Sequence, residues 1–102
     1  MANKKTLLIC FSISPSPNLE ERYNAVCEEI KRRYSIRRNL TKNNWVIETS
    51  DSVSAVRDYL GRQIYEGRND PSVIFVVDIS LQGWALHSDE SSGLDAWLRE
   101  RI

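Results

Sequence analysis

The sequence predicts one α+β domain, a sheet of four strands with two helices laid on it. Three observations lead there. Two short runs, Lys5 to Ile13 and Val73 to Val77, are apolar on both alternating parities, as strands packed on both faces are. Two longer stretches repeat apolar residues every three or four positions, the period of a helix with one buried side. The chain of 102 residues is long enough for one hydrophobic core and too short for two, so residues 1–102 are read as a single domain.

In the first strand, Leu7, Ile9, Phe11 and Ile13 lie on one parity and Leu8 and Cys10 on the other. Ser14-Pro15-Ser16-Pro17-Asn18 breaks it, and Asn18 is suited to cap a helix whose first turn holds Glu20 and Glu21. That helix is expected to reach about Tyr34, with Leu19, Tyr23, Val26, Cys27, Ile30 and Tyr34 on its buried stripe. From Ser35 to Thr49 the chain reads as extended around Trp45, Val46 and Ile47, with a break near Asn43-Asn44. Asp51 or Ser52 then caps a second helix, with stripe Val53, Val56, Leu60 and Ile64, that runs to about Glu66 and stops at Gly67.

After the turn Asn69-Asp70-Pro71, Val73 to Val77 is read as a second central strand. Leu94, Trp97, Leu98 and Ile102 mark a short final helix. A split βαβ order, the ferredoxin-like βαββαβ sandwich with a short C-terminal helix, follows in either of two ways. Residues 35–49 supply two strands, or a short strand forms around Leu81 to Leu86.

Two helices cover one face of such a sheet, so the apolar residues on the other face require a cover. A second copy of the chain is the expected one, giving a homodimer. The alternative is that the C-terminal segment with Trp84 and Trp97 folds over that face.

The apolar fraction of 41% and charged fraction of 27% fit a globular chain rather than a disordered one. Fourteen basic and fourteen acidic side chains cancel, which removes any global field that would attract nucleic acid or a membrane. No apolar run approaches the roughly 20 residues of a membrane helix, and the Pro-Ser-Pro after Leu7 to Ile13 favours a strand over an export signal. Cys10 and Cys27 fall inside predicted elements with no zinc-like spacing, so a reduced, cytoplasmic setting and packing roles are expected. No cofactor or metal site is expected, and the four glycines form no phosphate-binding loop.

One charge asymmetry stands out. Between Glu29 and Glu48 there is no acidic residue, while Lys31, Arg32, Arg33, Arg37, Arg38 and Lys42 all lie in that interval. Such cations could contact phosphates, with Asn39, Asn43 and Asn44 adding neutral hydrogen bonds and Tyr34 and Trp45 stacking on bases. The competing reading is ordinary: cations at a helix C-terminus complement its dipole, and charges on an edge strand deter aggregation. Among single residues, His87 near Asp89 and Glu90 could serve as acid or base, Asp78 ends a strand as a functional carboxylate or a turn cap, and Asp89, Glu90 and Asp95 could hold a metal or cap a helix.

The run ending Phe11-Ser12-Ile13, the strand Trp45-Val46-Ile47-Glu48-Thr49 followed by Ser52 and Arg57-Asp58-Tyr59-Leu60, and the pairs Gly83-Trp84 and Trp97-Leu98 resemble the small SinR-like proteins. These are relatives of the CRISPR-associated Cas-two family and of the virulence-associated protein D toxins. The resemblance spans nearly the whole chain and implies a ferredoxin-like homodimer. In the nuclease branch it implies metal-dependent cleavage through an aspartate, at the position where this chain has Ser12, a neutral hydroxyl poorly suited to Mg²⁺.

The leading expectation is therefore a non-catalytic dimeric module that engages nucleic acid through Arg37, Arg38 and Lys42, with Arg32 and Arg33 as peripheral contacts. The alternatives are a toxin-type ribonuclease with a non-standard site around Asp78 or Ser12, and a protein-interaction adaptor with no nucleic-acid role.

Overall fold

The computed structural model describes residues 4–64, 71–80 and 93–101. Chain order is β1 (Lys5–Ser12), α1 (Leu19–Arg33), β2 (Arg37–Thr41), β3 (Asn44–Thr49), α2 (Val53–Ile64), β4 (Val73–Asp78) and α3 (Leu94–Arg99). The strands form one antiparallel sheet in the order β2-β3-β1-β4. This α+β arrangement is compatible with a ferredoxin-like fold.

The long extended segment supplies two strands, because Lys42-Asn43 turns the chain back on itself. That turn is locked to the end of β1: Phe11 N–H donates to the Asn43 carbonyl (3.0 Å), and Asn43 Nδ2 donates to the Phe11 carbonyl (2.9 Å). The polar pair read as a break is thus the hairpin itself. A strand around Leu81 to Leu86 lies outside the described residues.

One face of the sheet carries the main core. Leu7, Ile9 and Phe11 of β1 and Trp45 and Ile47 of β3 meet Val26 and Ile30 of α1 and Val56, Leu60 and Ile64 of α2. These are the parities and helical stripes that the sequence pattern assigns to the interior. Helix α1 ends where expected, with the Tyr34 N–H bonded to the Ile30 carbonyl. Its start differs: Asn18 makes no capping bond, because its Oδ1 accepts from Ser16 Oγ at 2.8 Å. Ser52, rather than Asp51, caps α2 by accepting the Ala55 N–H at 3.1 Å.

A residue without a role in the sequence reading, Arg22, holds the two helices to the sheet. Its side chain is buried and donates to the Ile64 carbonyl at the end of α2 (2.7 Å) and to the Ser14 carbonyl after β1 (3.3 Å). A helix C-terminus exposes carbonyls with no intrahelical donor and carries partial negative charge, so a buried guanidinium satisfies both needs.

On the second face, the described residues form a smaller cluster. Leu94 and Leu98 of α3 pack with Val46, and Leu8, Leu40, Ile79 and Trp97 border them. Gly93 enters this helix with φ of 68°, a left-handed conformation that glycine adopts without steric cost. Arg101 fastens the far end, stacking 4.0 Å over the Trp97 ring and pairing with Glu48 at 3.4 Å. The C-terminal segment therefore takes part of the face expected to meet another copy; Trp84 lies outside the described residues.

Strand β4, read as a second central strand buried on both faces, pairs with β1 and ends the sheet order among the described residues; its second face departs from that expectation, since Val73 and Phe75 are 56% and 58% exposed. Ile74 and Val76 pack on the helix-side core, so the strand is apolar on both parities with only one of them covered. Alternation alone does not distinguish a buried second face from an uncovered one.

Leu60 is fully buried between α2 and the sheet. Leu60→Ala is expected to destabilise the fold by about 2–5 kcal/mol through lost burial and a residual cavity. A lower urea midpoint at unchanged slope in equilibrium unfolding checks this.

Candidate nucleic-acid interface

The five cations expected to form one surface belong to three places. Arg32 and Arg33 end α1, Arg37 and Arg38 begin β2, and Lys42 sits in the β2–β3 turn. Arg37 is in register with Ile47 and Arg38 with Val46, so adjacent arginines lie on opposite faces of the sheet. Lys42 pairs with Glu20 at the start of α1, about 20 Å along the helix from Arg33 at roughly 1.5 Å rise per residue.

Each cation has a partner inside the molecule. Arg32 Nη2 pairs with Glu29 at 2.6 Å, and Lys42 Nζ with Glu20 at 3.0 Å. Arg33 pairs with Asp51 at 3.3 Å and lies 4.3 Å over the Tyr59 ring. Arg37 Nη1 donates to the Tyr34 and Ser35 carbonyls (3.2 and 3.4 Å), supplying positive charge at the end of α1. Arg38 extends on the α3 side, where a β-carbon at Gly93 would stand 3.9 Å from its Nη2. An interval without acids in the sequence is thus supplied with acids in space by α1 and by the α2 entry.

The neutral groups follow the same pattern. Asn39 Nδ2 donates to the Thr41 and Asn44 carbonyls, Asn44 Nδ2 to Thr41 Oγ1, and Asn43 to Phe11. Tyr34 and Trp45 are buried in the core and present no ring face to a base. The hairpin's polar side chains hold its own shape.

A clasp joins the two helices at the α1 end of this region. The Tyr59 hydroxyl of α2 donates to the Glu29 carboxylate of α1, which also accepts from Arg32. The Tyr59 bond first, and Arg32 second, hold the Glu29 carboxyl below its ordinary range. Neither partner was visible as a pair in the sequence, since 30 positions separate Glu29 from Tyr59.

Asp78 accepts the Ser80 N–H at 2.9 Å, and this bond keeps its carboxyl below the ordinary range. That is the geometry of a turn cap, and it suits a carboxylate that stays ionised more than one that exchanges protons near neutrality. Ser12 is exposed at the end of β1. Burial raises the Cys10 and Cys27 thiols, the direction that lowers their nucleophilicity at neutral pH. Among the described residues, no three His, Cys, Asp or Glu side chains converge as metal ligands. His87, Asp89, Glu90 and the side chain of Asp95 lie outside the described residues. No described helix is long and apolar enough to cross a membrane.

The lowered Glu29 value has a pH signature. A depressed folded-state pKa means that ionised Glu29 stabilises the fold above its unfolded value of about 4.3, and that this contribution is lost as pH falls through the folded value. Glu29→Gln is expected to flatten the fall in urea midpoint on acidification below about pH 5; parallel profiles for parent and variant would contradict the clasp. In comparisons with family models, curated proteins and solved structures, the chain matches none of them.

Proposed function

We propose that the chain is a non-catalytic binding module of ferredoxin-like arrangement that works as a pair of identical copies and engages its partners through the sheet and its edges. The observation that supports this is the uneven cover of the second face. Helix α3 shields Val46 and its neighbours, while Val73 and Phe75 present large apolar side chains to water on an edge strand. Two exposed hydrophobics on the same face of a strand that ends the described sheet favour association with another sheet. The net charge of zero opposes no such pairing.

A second reading, nucleic-acid binding, rests on the β2–β3 hairpin. Residues 37–44 hold Arg37, Arg38 and Lys42 and no carboxylate side chain, and Arg37 donates to backbone carbonyls. The exposed Lys42–Glu20 pair is of the kind worth about 0–1 kcal/mol, so a phosphate could displace it readily. Arg32 and Arg33, by contrast, are engaged by Glu29, Asp51 and Tyr59 and are better suited to the clasp than to a ligand.

One set of samples tests both readings. Light scattering of the parent at micromolar concentration is expected to give the mass of two chains; a single-chain mass would overturn the proposed pairing. Fluorescence anisotropy with labelled single-stranded RNA and duplex DNA at two salt concentrations addresses the second reading. Salt-sensitive binding lost in an Arg37→Glu, Arg38→Glu variant supports it, and no binding by the parent at low salt leaves a protein-interaction adaptor.

A further inference from the structure

We infer that the two copies join edge to edge through β4, antiparallel, with Phe75 facing its counterpart across the two-fold axis; this rests on the paired reading above and specifies where the pair forms.

The two edges of the described sheet differ. The β2 edge carries Arg37 and Arg38 and a register shift between Asn39 and Thr41, features that discourage strand addition. The β4 edge carries no charge, proline or register shift from Val73 to Val77, and two of its three second-face side chains, Val73 and Phe75, are exposed. Among the described residues, one edge is closed to pairing by its chemistry and the other has no strand beside it.

The phase of the backbone also suits pairing at β4. The Ile79 N–H donates to the Thr6 carbonyl at 2.9 Å, and the register sets Val77 opposite Leu8, Phe75 opposite Cys10 and Val73 opposite Ser12. In an antiparallel ladder, alternate residues turn both backbone groups to one neighbour, so Val73, Phe75 and Val77 address β1. Ile74, Val76 and Asp78 then direct their N–H and C=O groups to the outer edge. A second β4 presents the same sequence of donors and acceptors, and an antiparallel two-fold pair is self-complementary.

The pleat of the sheet selects the register. A two-fold axis normal to the sheet keeps each face continuous, so odd residues must oppose odd ones. With the axis at Phe75, Ile74 exchanges hydrogen bonds with the partner's Val76 and Val73 faces the partner's Val77. Phe75 then occupies a non-hydrogen-bonded position, where cross-strand side chains approach most closely and aromatic pairs gain most. An axis at Val76 sets Asp78 against the apolar Ile74 of the other copy, and an axis at Ile74 sets Pro71 against Val77, so both are poorer matches.

A cysteine at position 75 tests the register. Because Cys10 lies opposite Phe75 within one chain, Phe75→Cys is made together with Cys10→Ser. Mild oxidation is expected to give a covalent dimer whose peptide map shows the 75–75 link, since the Cα separation of such a pair lies within disulfide range. Mixing Val73→Cys with Val77→Cys chains, again with Cys10→Ser, is expected to give the mixed disulfide. No 75–75 link, in a parent that scatters as two chains, overturns the β4 register and leaves the pairing itself standing; a single-chain mass overturns both. Phe75→Lys, a surface change in the isolated chain, is expected to keep the parent's circular dichroism and weaken pairing at least about tenfold. A folded Phe75→Lys chain that pairs like the parent also overturns the inference.

Discussion

Strand β1 sets the constraint on which the rest of the molecule depends. It pairs with β3 on one side and β4 on the other and carries apolar residues on both faces, so whatever packs around it must close two surfaces. Helices α1 and α2 close the first through Val26, Ile30, Val56, Leu60 and Ile64. Arg22 ties the end of α2 back to the segment after β1, which fixes both helices over the same face. Among the described residues, α3, a helix of 6 residues, covers the second face around Val46, while Val73 and Phe75 of β4 stay exposed. Those two side chains are the ground for the proposed association.

The charge distribution obeys a different logic. The stretch from Lys31 to Lys42 looks like a basic surface because the chain is read as a line. Folding brings Glu20, Glu29 and Asp51 to it from before and after, and places Arg37 and Arg38 on opposite faces of an edge strand. The cations then secure the α1–α2 contact, complement the end of α1 and protect the β2 edge from strand addition. The asymmetry between the two described edges, one charged and irregular, the other apolar and regular, is what the proposed pairing rests on.

The helices and the first strand were legible in the sequence because their periodicity is set by packing against one face, and the stripe Val53, Val56, Leu60 and Ile64 could be read without any tertiary knowledge. The hairpin was legible as a break near Asn43-Asn44, and the structure shows that the extended segment supplies two strands around a turn at Lys42-Asn43. What the sequence could not show was the exposure of Val73 and Phe75. A strand is apolar on both parities whether its second face is buried or exposed, and only the folded chain separates these cases. The clasp of Glu29, Tyr59 and Arg32 was hidden for a simpler reason, the distance in sequence between its members. The candidate cationic site was legible as a composition, whereas its ion pairs were not, since spacing along the chain carries no information about the acids that folding delivers.

The most direct test of this account is amide hydrogen exchange of Ile74 and Val76 as a function of protein concentration. Their N–H groups point to the outer edge of β4, whereas that of Phe75 is held by β1. The account predicts protection at Ile74 and Val76 that grows with concentration while Phe75 stays protected throughout. Rapid exchange at Ile74 and Val76 at every concentration, with Phe75 protected, would contradict edge-to-edge pairing and leave the open half of the sheet to another partner.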